Sequence, residues 1–98
     1  MPGTAIPLAA GTSDEQGEPA AYNLRLIGYS VAESASSAAA AEVILRHGTT
    51  SSAPLLAAPV NLDANGYGHF VCDIICPAGI FIDRVSGNTT VVLYVEHI

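Results

Sequence analysis

The sequence predicts an all-β fold: a small antiparallel β-sandwich or barrel, jelly-roll-like, with an extended N-terminal arm. Three observations predict it. From His69 to Ile98 the chain reads HFVCDII, CPAG, IFIDRV, SGN and TTVVLYVEHI. These are three β-rich runs split by two turn signals, the pattern of consecutive antiparallel strands. Just before them stands Asn65-Gly66, a dipeptide preferred in tight hairpins. Nowhere does a helical period with large apolar anchors appear, and the whole chain counts out to about six to eight short strands, as in a sandwich or small barrel. At 98 residues it makes one domain.

Residues 1–21 carry prolines at 2, 7 and 19 and the acidic cluster Asp14, Glu15 and Glu18. Proline refuses a continuous helix or a central strand, so this segment is expected to be an arm, flexible or laid along a neighbour, with Ile6 and Leu8 alternating as docking residues. The sandwich domain is then 22–98. Its first strand is YNLRLIGYSV, with Leu24 and Leu26 on one face and Arg25, Ile27 and Tyr29 on the other; Gly28 inside it suggests a bulge or a close backbone approach. The AESASSAAAA stretch has alanine enough for a helical turn but no large anchors, and reads as a loop.

EVILRH is a strand with Val43 and Leu45 inward and Ile44 and Arg46 outward. In PLLAAPVNL, Pro54 and Pro59 restrict short extended pieces to a sheet edge or a strand start. In the next strand Phe70, Cys72, Ile74 and Cys76 share the core face, and His69, Val71, Asp73 and Ile75 the other. The following run is ambiguous, since Ile80 and Ile82 share a face with Arg84, whereas Phe81 sits with Asp83 and Val85. In the last strand Val91, Leu93 and Val95 lie on one face, Thr90, Val92, Tyr94 and Glu96 on the other. Apolar residues on both faces suggest a strand packed on one side and partly covered on the other.

Composition narrows the function classes. Only 12% of residues are charged, the net charge is −6, and there are three arginines and no lysine. A phosphate backbone or an anionic lipid surface calls for a basic footprint that this chain lacks, so neither nucleic acid nor membrane is an expected partner. The low charge content points instead to surface hidden in an assembly. The start, MPGTAIPLAAG, has no basic segment followed by a long apolar run, so no secretory signal is predicted, and no stretch is long and apolar enough to span a bilayer.

Cys72 and Cys76 on one extended strand would stand about 13 Å apart, too far for a disulfide without a bend. With no second ligand pair nearby, a metal site is not expected, and buried reduced thiols are. His69 and Asp73 are four residues apart on one strand face, beyond hydrogen-bond reach within that strand. His47 or His97 would have to come from another strand to meet Cys72. Asp63, Asp73, Asp83 and Glu96 have no fixed mutual spacing of the kind sugar hydrolysis needs. No catalytic constellation and no cofactor site is predicted. The candidate partner-binding residues are Ile6 and Leu8 on the arm, Arg25, Arg46 and Arg84 as the only strong cations, each able to pair across an interface or within the chain, and Tyr94 on the second face of the last strand. Tyr67, in the Asn65–Gly68 turn, is the one candidate platform for stacking a sugar.

From Tyr22 onward, the order LRLIGYS, an alanine-serine stretch, AEVILRHGTTSSAPLLAAPVNL, a glycine-rich turn and CPAGIFIDRVSGNTTVVLYV resembles small β-sandwich virion proteins of tailed bacteriophages. The elements that carry the likeness are Arg46-His47-Gly48 closing a strand, a proline-containing return, Pro77-Ala78-Gly79-Ile80, and a terminal strand after Ser86-Gly87. The resemblance implies a non-enzymatic structural role: a decoration protein, made in the host cytoplasm and seated on the capsid surface, that cements the lattice by binding the major capsid protein, commonly as a homotrimer and with an extended terminal arm. Two alternatives stand beside it, a tail, head–tail or fibre position in the virion, and a glycan-binding sandwich that uses Tyr67.

Overall fold

Turn residues divide the chain into eight strands. In the computed structural model, which describes residues 3–98, these are β1 (Thr4–Gly11), β2 (Glu15–Glu18), β3 (Leu24–Glu33), β4 (Ala41–His47), β5 (Val60–Leu62), β6 (Tyr67–Ile75), β7 (Ile80–Ser86) and β8 (Thr89–His97). They form two four-stranded antiparallel sheets, ordered β1-β8-β3-β6 and β2-β7-β4-β5. There is no helix among the described residues, and the alanine-serine segment after β3 is an irregular loop, as its lack of large anchors implies.

The pairing follows one rule. β1 pairs with β8, β2 with β7, β3 with β6 and β4 with β5. The chain therefore doubles back at the β4–β5 connection as one long hairpin. Two further pairings, β8 with β3 and β7 with β4, roll that hairpin into two layers.

This topology corrects the expectation of consecutive antiparallel strands. β6, β7 and β8 do not pair with one another; each turn between them crosses from one sheet to the other. The reason lies in the apolar faces. Cys76, Ile80, Ile82, Val91, Leu93 and Val95 are essentially fully buried, and a three-stranded meander would line up the apolar faces of these runs on one side of one sheet with nothing to cover them. Alternating sheets lets the faces bury each other at ~1.5–3 kcal/mol for each large side chain. Gly79 (φ 102°) and Gly87 (φ 76°) make the crossings, in left-handed backbone conformations open to glycine. The Asn65-Gly66 turn is likewise a crossing, from β5 to β6. Its Gly66 N–H donates to Asp63 O at 2.8 Å, and only Asn65 has a positive φ, 61°. A two-residue hairpin of the Asn-Gly type needs positive φ at both central residues.

The N-terminal segment is extended, but along its own chain. Thr4 to Leu8 pair with Val95 to Val91, and Glu15–Glu18 pairs with β7. Ile6 and Leu8 turn inward and pack on the core. β8 would otherwise be a free edge over a buried apolar row, and β1 satisfies its backbone groups; Pro7, which lacks an N–H, is tolerated because β1 is itself an edge. A boundary at residue 21 thus cuts through both sheets instead of separating an arm from a body. Met1 and Pro2 of the expected arm lie outside the described residues.

Against β8 the register of β3 shifts between Leu26 and Gly28, with one extra residue in β3, the bulge that Gly28 suggested; against β6 the extra residue is in β6. The extra residue in β3 moves Tyr29 to the inner face, where it is buried beside Leu24, Leu26 and Val31, and not with Arg25 and Ile27 as strict alternation predicts. In β7 the ambiguity is resolved with Ile80, Ile82 and Arg84 all inward. Val43 and Leu45 are inward as expected.

Candidate functional site

The three arginines are held within the molecule. Arg84 is only 6% exposed. Its guanidinium donates to Ser13 O (2.9 Å), Ala9 O (3.1 Å) and Thr89 Oγ1 (3.1 Å) and lies 3.2 Å from a Glu15 oxygen; its backbone N–H donates to Asp14 Oδ1 at 2.8 Å. It is a strut tying the β1–β2 connection to β7 and is not presented to a partner. Arg46 donates to Asp83 Oδ2 and to Ala53 O, both at 2.9 Å, holding the loop after β4 against the second sheet. Arg25 is bonded to Glu96 and lies 3.4 Å from Asp73. The Glu96 bond is the main reason the Arg25 pKa is raised above its ordinary value. The expected docking pair Ile6 and Leu8 is partly buried against the core.

Tyr94 and Tyr67 fall elsewhere, and together. Directly opposed residues share a face of a sheet, and the register gives three rows on the outer face of the first sheet. Tyr94, Gly28 and Val71 form one; Val92, Ser30 and His69 the next; Thr90, Ala32 and Tyr67 the third. The central strand β3 contributes only Gly28, Ser30 and Ala32 to these rows. Small residues between larger flanking ones leave a trough. It appears as two adjoining depressions of about 270 and 200 Å³ that share His69. The Arg25–Glu96–Asp73 cluster closes one end.

The walls of the trough are ordered by local contacts. His69 packs edge-on to Tyr94 with ring centroids 5.7 Å apart. Ser30 Oγ lies 3.4 Å from the Tyr94 hydroxyl, and Ser34 Oγ lies 2.7 Å from Thr90 Oγ1. Along β6 the outer row is strongly exposed: Tyr67 83%, Val71 84% and Ile75 50%. Behind it Phe70 stacks on Tyr29 at 4.9 Å.

No family model, curated relative or solved structure matches this chain. The trough is lined by one imidazole, His69, and two phenols, Tyr67 and Tyr94, with no carboxylate among the lining residues. Among the described residues no group of three or more His, Cys, Asp or Glu is placed to hold a metal ion. His47 is engaged structurally, its Nε2 accepting the Ala78 N–H at 3.0 Å. Cys76 is fully buried and Cys72 partly so; both are free thiols whose pKa values burial pushes up.

One ordered carboxylate has no signal in the sequence. Glu33 accepts the backbone N–H groups of Asn65 and Ala35, both at 2.7 Å. These bonds, the Asn65 one foremost, hold its pKa below the ordinary carboxylate value. They pin the turn that launches β6, and so set where Tyr67 stands.

Proposed function

We propose that this chain is a non-enzymatic structural protein of a tailed-phage virion, a decoration protein on the capsid surface that cements the lattice by binding the major capsid protein. The observation that supports the reading is the bare outer face of the first sheet. Tyr67, Val71 and Ile75 stand exposed there beside the trough under Tyr94 and Val92, and apolar side chains gathered on one face are the kind of surface that marks an interaction site. We read the rolled hairpin as a jelly roll, an architecture shared by viral capsid and lectin domains; that likeness is one of fold and adds weight without assigning the role.

The test is co-sedimentation of the purified chain with heads and, separately, with tails of the phage whose genome carries it. Saturable binding to heads, lost in Val71→Asp and retained in the sheet-two variant Val85→Asp, is the expected result. Binding to tails alone would move the protein to a tail or head–tail position, and binding to neither would refute a virion role.

A second reading is glycan binding, favoured by the exposed Tyr67 ring at the mouth of the trough with His69 beside it. It predicts retention on a glycan array that disappears in Tyr67→Ala; no binding to any sugar would eliminate it.

A further inference from the structure

We propose that β6 is a self-recognition edge: two copies of this chain join antiparallel through β6, centred on Val71, into one continuous eight-stranded sheet. The inference does not depend on the virion reading.

β6 pairs with β3 on one side only. The direction of its free backbone groups follows from its two ends. Gly66 O accepts from Glu33 N at 2.9 Å, and Cys76 N donates to Leu24 O at 3.0 Å. Residues 66 and 76 thus face β3. Backbone polarity alternates along a strand in an antiparallel pair, so Tyr67, His69, Val71, Asp73 and Ile75 turn their N–H and C=O groups to the open edge. Natural sheets protect such edges with proline, lysine, an inward charge or a bulge on the edge itself. Tyr67–Ile75 contains no proline and no lysine; the surplus residue of the β3–β6 ladder does lie in β6, where Cys72 and Asp73 stand opposite Ile27 alone, but Gly66 and Cys76 both face β3, so the alternation is kept across it.

The occupant is set by complementarity. A two-fold axis at Val71 places Val71 opposite Val71 of the second copy, His69 opposite its Asp73, Asp73 opposite its His69, and Tyr67 opposite its Ile75. All these residues lie on the outer face with their backbone groups at the edge, so each pair exchanges two backbone hydrogen bonds. An imidazole meets a carboxylate twice, and the exposed Tyr67, Val71 and Ile75 side chains cover one another. A shift of the register by two residues along β6 puts a carboxylate opposite an apolar side chain and loses both His–Asp pairs. Within each copy His69 faces Tyr94 of β8 and Ser30 of β3, while Asp73 faces Arg25 of β3, itself bonded to Glu96 of β8. Neither group is buried by a prior partner: Asp73 keeps 71% of its side chain in solvent. Pairing in this way brings the two troughs side by side on one surface. It also predicts a dimer in place of the trimer that the phage resemblance implies.

Sedimentation velocity on the full chain, across concentrations at ~0.15 M salt to screen the repulsion between two acidic copies, tests this. The expected species has twice the 10.0 kDa mass of the chain. His69→Asp sets aspartate opposite aspartate twice and weakens the dimer about tenfold or more, as does Asp73→His by setting histidines together. The double variant His69→Asp/Asp73→His restores the opposite pairs and with them the dimer. Val71→Pro removes a donor that faces the open edge, so it gives a folded monomer by circular dichroism. A wild-type monomer at every concentration, a trimer, a dimer that survives both single charge variants, or a double variant no better than the singles would each overturn the proposal.

Discussion

Replacing Arg84 by Met separates a structural strut from a partner contact. The side chain makes three hydrogen bonds, to Ser13 O, Ala9 O and Thr89 Oγ1, and an ion pair with Glu15, all with almost none of its surface in water. Methionine keeps the aliphatic stem packed but drops every one of these. A net hydrogen bond contributes about 0.5–1.5 kcal/mol, and removing one partner from a fully buried pair costs about 3–5 kcal/mol. Glu15 is 41% exposed and can regain water, so the ion-pair share falls below that range. The expected loss is about 2–4 kcal/mol, a large part of the ~5–15 kcal/mol that holds a domain of this kind, and a drop of roughly 10–20 °C in Tm. Urea denaturation gives the first number and calorimetry the second. Hydrogen exchange should place the loss at β1 and β2, because the strut anchors their connection. Arg84→Lys should recover only part, since an ammonium cannot span the carbonyls and Thr89 at once. A loss under about 0.5 kcal/mol in Arg84→Met, with unchanged exchange in β1, would refute the strut and reopen a contact role for this arginine.

Deleting residues 1–18 should destabilise the fold severely, read as loss of the cooperative urea transition, because it strips the β1 and β2 pairings and bares the apolar row of β8; a truncated chain that unfolds cooperatively at the wild-type midpoint would mean that β1 and β2 are dispensable. For Glu33, whose pKa is lowered in the folded state, the linked stability is fully present above the unfolded-state carboxylate pKa and is lost as pH falls through the folded value. The wild type should therefore lose more stability between pH 7 and pH 3 than Glu33→Gln does, and equal acid sensitivity would exclude the carboxylate from that role. Cys72 and Cys76, with pKa values raised by burial, should react slowly with a disulfide reagent at pH 8 in the native state and fast in denaturant; prompt labelling of Cys76 would contradict its burial.

Much of the architecture was legible in the side-chain pattern. Period-two alternation located β4, β6 and β8 and chose their inner faces correctly, because burial of one face is what the alternation records. Two things were not legible. The first is which strands pair: turns such as Cys76–Gly79 and Asp63–Gly66 carry the same residues whether they close a hairpin or cross between sheets, and the choice is made by non-local packing of the apolar rows. The second is the fate of a residue whose type suits two environments. Arg84 sits inward with Ile80 and Ile82, as its phase in the strand allowed, yet only the carbonyls of a segment some seventy residues away make burial of a cation tolerable. For the trough, the small residues Gly28, Ser30 and Ala32 were visible in sequence, but the bulge at Gly28 had to be in place before they could share the outer face.

The two sheets differ in what their outer faces have to do, and that asymmetry organises the surface. On the second sheet Asp83 is paired with Arg46 and directly opposite Ile44, and Ile44, nominally outward, is only 8% exposed. On the first sheet the ion pairs among the described residues, Arg25 with Glu96 and Asp73, lie at one end of the trough, and β3 offers nothing taller than serine through its middle. β1 covers the edge at β8, and the rolled hairpin leaves β6 as the opposite edge of the same sheet. A bare apolar face and an open edge thus fall on one sheet and meet along one strand. An interaction that uses one of them necessarily approaches the other, and Val71 lies where they meet: Val71→Pro removes the edge donor and should break self-pairing, whereas Val71→Asp charges the face and also sets aspartate opposite aspartate at the two-fold axis, so it should weaken self-pairing and partner binding together.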